Sequence, residues 1–296
     1  MAGAGLAGYV HDRFGRRWSL VVGSLIGMIG IAICFGSSYP NAIATRRSVF
    51  LIGKLAEGLC TGQVICTAQT YVSEIVPHRI RGAAFALFPA FTLLGQLLAA
   101  VVIFSQIYVT TSVGYLTCIA TQWVFSLAVI IGVIYVPESP IWLVRMDRID
   151  SATRSENRLQ SSAAPEVVIA KLVETIEREK RDSQEVSGAS LLHCFKGTNR
   201  RRTMLIIFAN MIPQLFGTVF LGSASYFFQL LGMEAALALE LLQVGIAVGF
   251  VANLLGMWTV TRFERRPLML VTLITMAVLW LSMAISGFWR GTVPLW

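Results

Sequence analysis

The sequence predicts an all-α protein that crosses a lipid bilayer several times. Three properties support this prediction: 55% of the 296 residues are hydrophobic, only 14% are charged, and the mean hydropathy is +0.68. A soluble globular domain usually carries about 25% charged residues. The charges are also clustered, so that they leave apolar stretches of the roughly 20 residues that a membrane-spanning helix needs. We therefore expect a multi-pass protein embedded in the lipid bilayer.

Seven complete spans are predicted, preceded by the last turns of a helix at residues 1–10. The seven cover residues 18–36, 49–72, 83–108, 116–136, 203–230, 236–260 and 267–287. Met1 lacks the basic segment and apolar run of a signal peptide, and it stands within a helical stretch. We therefore expect a sequence that begins part-way through a helix, as a fragment or a chain with a misplaced start codon does.

Two similar basic segments stand near the two ends of the chain. Residues 12–21 read DRFGRRWSLV and residues 261–270 read TRFERRPLML, so both carry an Arg-Phe-x-Arg-Arg core at the start of an apolar run. Six predicted spans separate them, and because this number is even, both segments lie on the same side of the membrane. A repeat of six helices indicates two equivalent halves related by an axis along the membrane normal.

The basic residues also predict which side faces the cytoplasm. The side of the two segments carries an excess of arginines: Arg13, Arg16, Arg17, Arg79, Arg81, Arg262, Arg265 and Arg266. The opposite side has Arg46, Arg47 and Arg290. An excess of Lys and Arg marks the cytoplasmic side. This topology accounts for most of the net charge of +8, so we expect no nucleic-acid partner.

The stretch 137–202 is the soluble-looking part of the chain. It contains VVIAKLVETIEREKRDSQ, which has the pattern of an amphipathic helix. This favours a solvated, salt-bridged linker, with a regulatory platform as the alternative. We therefore predict an N-terminal half at 1–136, a cytoplasmic helical linker at 137–202, and the start of a C-terminal half at 203–296.

No metal, cofactor or catalytic site is predicted. The cysteines lack paired spacing and most lie in predicted spans, and the histidines lack the spacing of metal ligands. These residues are Cys34, Cys60, Cys66, Cys118, Cys194, His11, His78 and His193. The sequence contains no nucleophile elbow, phosphate-binding glycine loop or zinc motif. We therefore expect a protein that is not an enzyme.

Three motifs resemble those of one transporter family. The motif G-x-x-x-D-R-x-G-R-R is matched by Gly8, Asp12, Arg13, Gly15, Arg16 and Arg17. YVSEIVPHRIRG (71–82) and PESPIWL (137–143) resemble the segments that follow transporter helices 4 and 6, with Ile141 in place of an arginine. The chain therefore resembles the sugar porter family of the major facilitator superfamily. Three further segments are similar to its fungal α-glucoside, or maltose-type, branch: GKLAEG (53–58), LLGQLLAA (93–100) and YFFQLLGM (226–233).

The resemblance implies a major facilitator fold and a transport function. Residues 1–10 then correspond to transporter helix 2 and the last span to helix 9, so helices 2 to 9 of an expected 12 are represented. The implied activity is proton-coupled alternating access, with an α-glucoside such as maltose and a proton as partners and the plasma membrane as location. Five alternatives stay open: a transporter of a different sugar, a polyol transporter, an organic acid transporter, a non-transporting nutrient sensor, and an inactive truncated permease.

The charged motifs predict a cytoplasmic gate. Opposite charges at neighbouring helix ends can pair when such a gate is closed and separate when it opens. The candidate gate residues are Asp12, Arg13, Arg16, Arg17, Glu74, Arg81, Glu138, Arg265 and Arg266. The alternative is that the arginines determine topology and contact lipid headgroups. The second segment departs from the family pattern, because Thr261 replaces an aspartate and Glu264 a glycine.

Two charges lie within a predicted span. Lys54 and Glu57 are three residues apart, so they share a helix face and can pair. Ionisable groups within a membrane are costly and usually face a cavity or a partner. The resemblance places Lys54 where sugar porters commonly have an arginine that faces a carboxylate of helix 1, which implies proton coupling. The alternative is a self-satisfied pair that only fixes the helix.

Polar side chains within the spans are the candidate sugar ligands. Amides suit sugars because they offer both a donor and an acceptor. The family pattern Q-Q-x-x-G-x-N corresponds here to PQLFGTV, in which Gln214 stays while Pro213 and Val219 replace a glutamine and the asparagine. Pro89 stands where an amide is usual. The candidates are Gln214, Gln96, Tyr226 and Gln69, and the alternative role of a lone glutamine is to hold helices together.

Overall fold

The computed structural model describes residues 2–77, 80–109, 112–159, 165–185, 195, 197–215, 222–230 and 232–288. The regular elements within these ranges are twelve α-helices. They are α1 (Ala2–Phe14), α2 (Arg16–Gly36), α3 (Ile43–Ile75), α4 (Arg81–Ser105), α5 (Ser112–Tyr135), α6 (Pro140–Arg145), α7 (Ile149–Leu159), α8 (Pro165–Glu185), α9 (Gly197–Leu215), α10 (Ala224–Leu230), α11 (Ala235–Arg262) and α12 (Arg265–Phe288).

Six of the described helices are long and apolar enough to cross a membrane. They are α2, α3, α4, α5, α11 and α12, and each coincides with a predicted span. α3 is longer than predicted: its 33 residues extend about 50 Å at ~1.5 Å per residue, which exceeds the hydrocarbon core. The predicted span 203–230 is described as α9 and α10, and residues 216–221 between them lie outside the described residues.

The chain separates into two compact units. One comprises Met1–Phe88 and Leu98–Ala189, and the other comprises Pro89–Leu97 and Ser190–Trp296. α6, α7 and α8, which occupy the predicted linker, belong to the first unit. The predicted division at 1–136, 137–202 and 203–296 stays a prediction.

α2 and α3 approach each other closely in the first unit because small residues face one another. Gly53 of α3 lies against Cys34 and Gly30 of α2 so closely that a Cβ on Gly53 would lie 2.5 Å from the Cys34 Sγ and 2.9 Å from the Gly30 carbonyl oxygen. α5 also packs on α2, where the Trp123 indole N–H donates to the Met28 carbonyl at 3.2 Å. Close contact between the backbones of α2 and α3 therefore fixes the position of these two helices within the first unit.

Substituting Gly53 by alanine is expected to destabilise the protein by about 1–3 kcal/mol, because the added methyl has no space and the nearest atoms include backbone. Gly58→Ala is the matched control, since Gly58 belongs to the same helix and a Cβ there would meet nothing within 4 Å. Alanine at position 58 is expected to be neutral or to stabilise by up to about 1 kcal/mol. Unfolding of both variants in detergent measures the difference, and equal stabilities would contradict the close packing.

The short helices α6, α7 and α8 form a small core of their own. Ser139 caps α6, accepting a hydrogen bond from the Trp142 backbone N–H at 3.4 Å, and Pro140 begins the helix. The core consists of Trp142, Leu143, Val144, Ala152, Ile169 and Ile176. The amphipathic pattern that predicts a linker helix is confirmed in α8, whose charged face lies in solvent while Ile169 and Ile176 are buried.

One carboxyl group is buried beside this core, and it predicts a pH dependence of stability. Glu156 of α7 is 7% exposed, and burial raises the pKa of its carboxyl. A raised pKa means that the folded protein binds this proton more tightly than the unfolded chain does, so the resulting stability is present at acidic pH and is lost as the pH rises through the folded pKa. We expect Glu156→Gln to be more stable than the wild type, by a margin that grows from acidic to neutral pH.

Thermal unfolding across that pH range measures this margin. The control is Glu177→Gln, because Glu177 is an exposed glutamate of α8 whose ion pair with Arg181 is long, at 3.9 Å. A margin for Glu156→Gln that stays constant with pH, or that matches the control, would show that the buried carboxyl does not titrate as its burial requires.

Candidate functional site

The ends of α1, α2 and α3 meet around one buried arginine. Arg16, in the first turn of α2, is 2% exposed. Its guanidinium donates from Nη2 to the Glu74 carboxylate of α3 at 2.7 Å and from Nε to the same group at 3.0 and 3.1 Å. Its Nη1 donates to the His11 carbonyl at 2.9 Å and lies 3.5 Å from the Asp12 carboxylate. All three guanidinium nitrogens are therefore engaged.

This pair is buried rather than superficial. The Glu74 side chain is 10% exposed, whereas the Asp12 side chain is 69% exposed. A buried ion pair tolerates the loss of water only when its remaining hydrogen-bonding groups are satisfied. Arg16 meets this condition because its fork fits the Glu74 carboxylate in two places and its last nitrogen finds a backbone carbonyl.

A second carboxylate completes the start of α2. Gly15, which precedes this helix, has no side chain to cap it. Glu138 fills this role from the connection between α5 and α6: its Oε1 accepts from the backbone N–H groups of Arg16 at 2.9 Å, Arg17 at 3.2 Å and Ser139 at 3.0 Å. The positive end of a helix dipole favours such an anion. Glu138 therefore ties the linker to the start of α2.

Further hydrogen bonds fix the same junction. Arg17 donates to the carbonyls of Val133 at 3.0 Å and Ile134 at 3.2 Å, which lie near the end of α5. The Trp142 indole N–H donates to the Asp12 carbonyl at 2.9 Å, and the Tyr71 hydroxyl donates to the Pro137 carbonyl at 2.7 Å. The junction thus joins α1, α2, α3, α5 and α6 within the first unit. We call this set of contacts the junction network.

The junction network includes five of the nine predicted gate residues: Asp12, Arg16, Arg17, Glu74 and Glu138. Arg13 is exposed and donates to the Tyr9 hydroxyl at 2.7 Å. Arg81 has a buried Nε without a hydrogen-bond partner among the residues that the structure describes. In the second basic segment Arg266 is exposed, and the Arg265 side chain lies outside the described residues. In the same segment the Arg262 guanidinium lies 5.6 Å from the centre of the Trp258 ring.

Lys54 and Glu57 pair with each other in the described structure. The Lys54 Nζ donates to the Glu57 Oε2 at 2.6 Å and lies 5.5 Å from the centre of the Phe50 ring. The Lys54 side chain is partly exposed, while the Glu57 Oε1 is buried and has no partner within the described ranges. Of the two alternatives, this geometry corresponds to the pair in which Lys54 and Glu57 satisfy each other. The second carboxylate oxygen of Glu57 has no hydrogen bond within the described ranges. A role in proton coupling stays a prediction.

The predicted sugar ligands are not distinguished by burial. Gln69, Gln96 and Tyr226 are exposed, and the side chain of Gln214 lies outside the described residues. A ligand contact usually lies in a concave, largely enclosed site. The only support for these four residues as sugar ligands is therefore their residue type, and their role stays a prediction.

A buried polar cluster between α2 and α3 escaped the sequence reasoning. Gln63 is 2% exposed, and its Nε2 donates to the Ser19 carbonyl at 3.2 Å, while the Ser19 and Thr67 hydroxyls lie 3.0 Å apart. A signal existed: Gln63, Thr67, Tyr71 and Glu74 recur at helical spacing and form one polar stripe along α3. This stripe runs along α3 from Gln63 to Glu74, and Glu74 belongs to the junction network.

Comparison with known proteins identifies the family. The sequence model described as "Sugar (and other) transporter" matches residues 1–293. The chain belongs to this family. It is 28% identical over 277 residues to the major facilitator-type transporter ecdD of Aspergillus rugulosus, covering 93% of this chain and 50% of ecdD. It is 26% identical over 279 residues to the general alpha-glucoside permease of Saccharomyces cerevisiae, covering 89% of this chain and 44% of the permease.

A solved structure shows the same fold. The proton:xylose symporter XylE of E. coli superposes with a TM-score of 0.75 at 23% identity, over 90% of this chain and 58% of XylE. The predicted major facilitator fold and the resemblance to sugar porters are thereby confirmed, and the protein is a multi-pass integral membrane protein. The family and the fold are those of transporters. The chain spans about half the length of the curated relatives it matches.

Proposed function

We propose that this protein transports a sugar, an α-glucoside such as maltose, by proton-coupled alternating access. The match to the sugar transporter family along residues 1–293 carries this proposal. The general alpha-glucoside permease among its relatives supports the substrate class, and the fold shared with a proton:xylose symporter supports the coupling. The polyol, organic acid, sensor and inactive alternatives are separated from it by the experiment below.

The junction network supports a gating role on the predicted cytoplasmic side. It concentrates five charged side chains where α1, α2, α3, α5 and α6 meet. Ion pairs of this kind can separate into water when helices move, so they can bias an equilibrium between two states. In the proposal Asp12, Arg16, Arg17, Glu74 and Glu138 hold the junction of the first unit together, and Arg13, Arg81, Arg265 and Arg266 stay candidate gate residues.

Lys54 is the proposed centre of proton coupling, with Glu57 as its partner. A lysine and an arginine both supply a cation at this position, so either can pair with the carboxylate that sugar porters carry opposite it. The Lys54 Nζ lies 2.6 Å from the Glu57 Oε2, and the partly exposed Lys54 stays accessible to an incoming carboxylate. The candidate sugar ligands are Gln214, Gln96, Gln69 and Tyr226, taken one by one, because their polar atoms suit hydroxyl groups. The proposed location is the plasma membrane.

The test is uptake of labelled maltose into proteoliposomes under an imposed inward proton gradient. It uses the product of the complete transcript, because the present chain spans about half the length of its relatives. We expect maltose accumulation that collapses when a protonophore is added. Lys54→Ala should lose accumulation and keep passive exchange of maltose, because it removes the cation proposed to pair with the coupling carboxylate and spares the sugar ligands. Lys54→Arg, with the residue common in the family, is the control and should retain accumulation.

Each other outcome points to a different function. Uptake of mannitol in preference to maltose would identify the substrate as a polyol, and preferred uptake of malate would identify it as an organic acid. Maltose binding without uptake would favour a sensor. A folded protein that neither binds nor moves any of these solutes would refute the transport proposal, and accumulation that survives Lys54→Ala would refute the coupling role alone.

A further inference from the structure

One buried histidine stands inside the junction network. His11 of α1 is 8% exposed. Its backbone carbonyl accepts hydrogen bonds from the Arg16 Nη1 at 2.9 Å and from the Gly15 backbone N–H at 3.2 Å. The same arginine holds Glu74. A change in the charge of His11 therefore acts electrostatically on the Arg16–Glu74 ion pair at the centre of the junction network.

The contacts of the imidazole suit its neutral form. The Nε2 lies 3.6 Å from the Asp12 carboxylate, while the Nδ1 is buried and has no hydrogen-bond partner in the part of the chain that the structure describes. A neutral imidazole leaves one nitrogen without a proton, whereas the imidazolium carries an N–H on both. Protonation would therefore create a buried donor without an acceptor and place a second cation beside Arg16.

The surrounding charges act in opposite directions. Arg16 of α2 opposes protonation, whereas Asp12 of α1 and Glu74 of α3 favour it. The balance falls against the proton, because burial and Arg16 together lower the pKa of His11. Asp12 compensates little since its carboxylate is largely exposed, and the Glu74 carboxylate is already engaged by Arg16. The imidazole binds a proton more readily once the junction has opened to water.

We propose that His11 makes the Arg16–Glu74 ion pair acid-labile, so that acidification on the predicted cytoplasmic side loosens the junction of α1, α2 and α3. The closed junction holds a neutral histidine, so its stability is complete above the ordinary histidine range and is lost as the pH falls through that range. Each unit by which closure lowers the pKa corresponds to a tenfold larger opening ratio in acid. This inference rests on the contacts of His11 alone and is independent of the substrate and of proton coupling.

Amide hydrogen exchange of the full chain in lipid nanodiscs tests the proposal. Peptides that cover residues 15–20 report opening, because the Arg16 and Arg17 amides are held by Glu138. Exchange is compared between His11→Gln and the wild type at about pH 7.5 and about pH 5.5, above the usual carboxylate range near 4. Comparing variants at the same pH cancels the intrinsic pH dependence of exchange. His78→Gln is the matched control, since it removes another histidine from the same predicted side.

We expect the wild type and His78→Gln to exchange several-fold faster than His11→Gln at the acidic pH and equally fast at the higher pH. His11→Arg, which carries a permanent charge, should exchange fast at both. Equal protection of the wild type and His11→Gln at both pH values would overturn the proposal, even if His11→Arg fails to fold. An NMR titration that places the His11 pKa at or above the ordinary histidine value would overturn it too.

Discussion

Replacing Arg16 by leucine is expected to lower the free energy of unfolding by about 3–5 kcal/mol, the cost of breaking a buried ion pair by removing one partner. The loss is large because the Glu74 carboxylate, 10% exposed, would keep its charge in a place from which water is largely excluded. Three hydrogen bonds from Arg16 to Glu74 would disappear together with the one to the His11 carbonyl. Unfolding of the purified protein by heat or by denaturing detergent measures the effect.

Arg13→Leu is the matched control for this substitution. Arg13 belongs to the same basic motif, yet its side chain is exposed. Among the described residues, its side chain forms a hydrogen bond to the Tyr9 hydroxyl only. Its loss is expected to cost within about 0.5 kcal/mol, as for most exposed charges. Removing both partners, in Arg16→Leu with Glu74→Leu, should be less harmful than Arg16→Leu alone, because no buried charge is left unpaired. A cost for Arg16→Leu no greater than that of Arg13→Leu would contradict the buried pair.

The transmembrane part of the fold was accessible from the sequence because its physical signal is local. A span such as 236–260 is a continuous run of apolar residues, and α11 (Ala235–Arg262) follows it closely. The prediction that the two arginine motifs share one side of the membrane also uses a local signal, since the parity of the spans needs no knowledge of tertiary contacts; it stays a prediction. The ends were less accurate: α3 extends to Ile43 and Ile75 because helix formation continues beyond the apolar core.

The partners of the charged residues were not accessible in the same way. The i, i+3 spacing of Lys54 and Glu57 predicted their pairing correctly, because that contact lies within one helix. No sequence pattern indicates that Glu138 caps α2, because the two are more than a hundred positions apart in the chain. Gln63 looked like one glutamine among several, and its burial depends on Ser19 of a neighbouring helix. Sequence patterns thus located the charges, and packing decided which of them meet.

Gly15 is a position where backbone conformation and packing both leave little freedom, so Gly15→Ala is the second substitution with a large expected effect. Its φ of +91° lies in a region that residues with a Cβ adopt at a cost of about 1–3 kcal/mol. A Cβ would also stand 2.5 Å from the Glu138 Oε2 and 3.2 Å from the Trp142 ring. The carboxylate could move away, but it would then release the Arg16 and Arg17 backbone N–H groups. We expect a total loss of about 2–4 kcal/mol from strain and the lost cap.

Gly8→Ala separates this effect from the mere loss of a motif glycine. Gly8 is the first residue of the same motif, lies within α1, and has no atom within 4 Å of the place of its Cβ. Alanine at this position is expected to be neutral or slightly stabilising, by up to about 1 kcal/mol, because glycine weakens a helix. Unfolding measurements on the two variants, side by side, decide the matter. If both glycines tolerate alanine equally, then Glu138 does not hold the start of α2 as closely as its hydrogen bonds require.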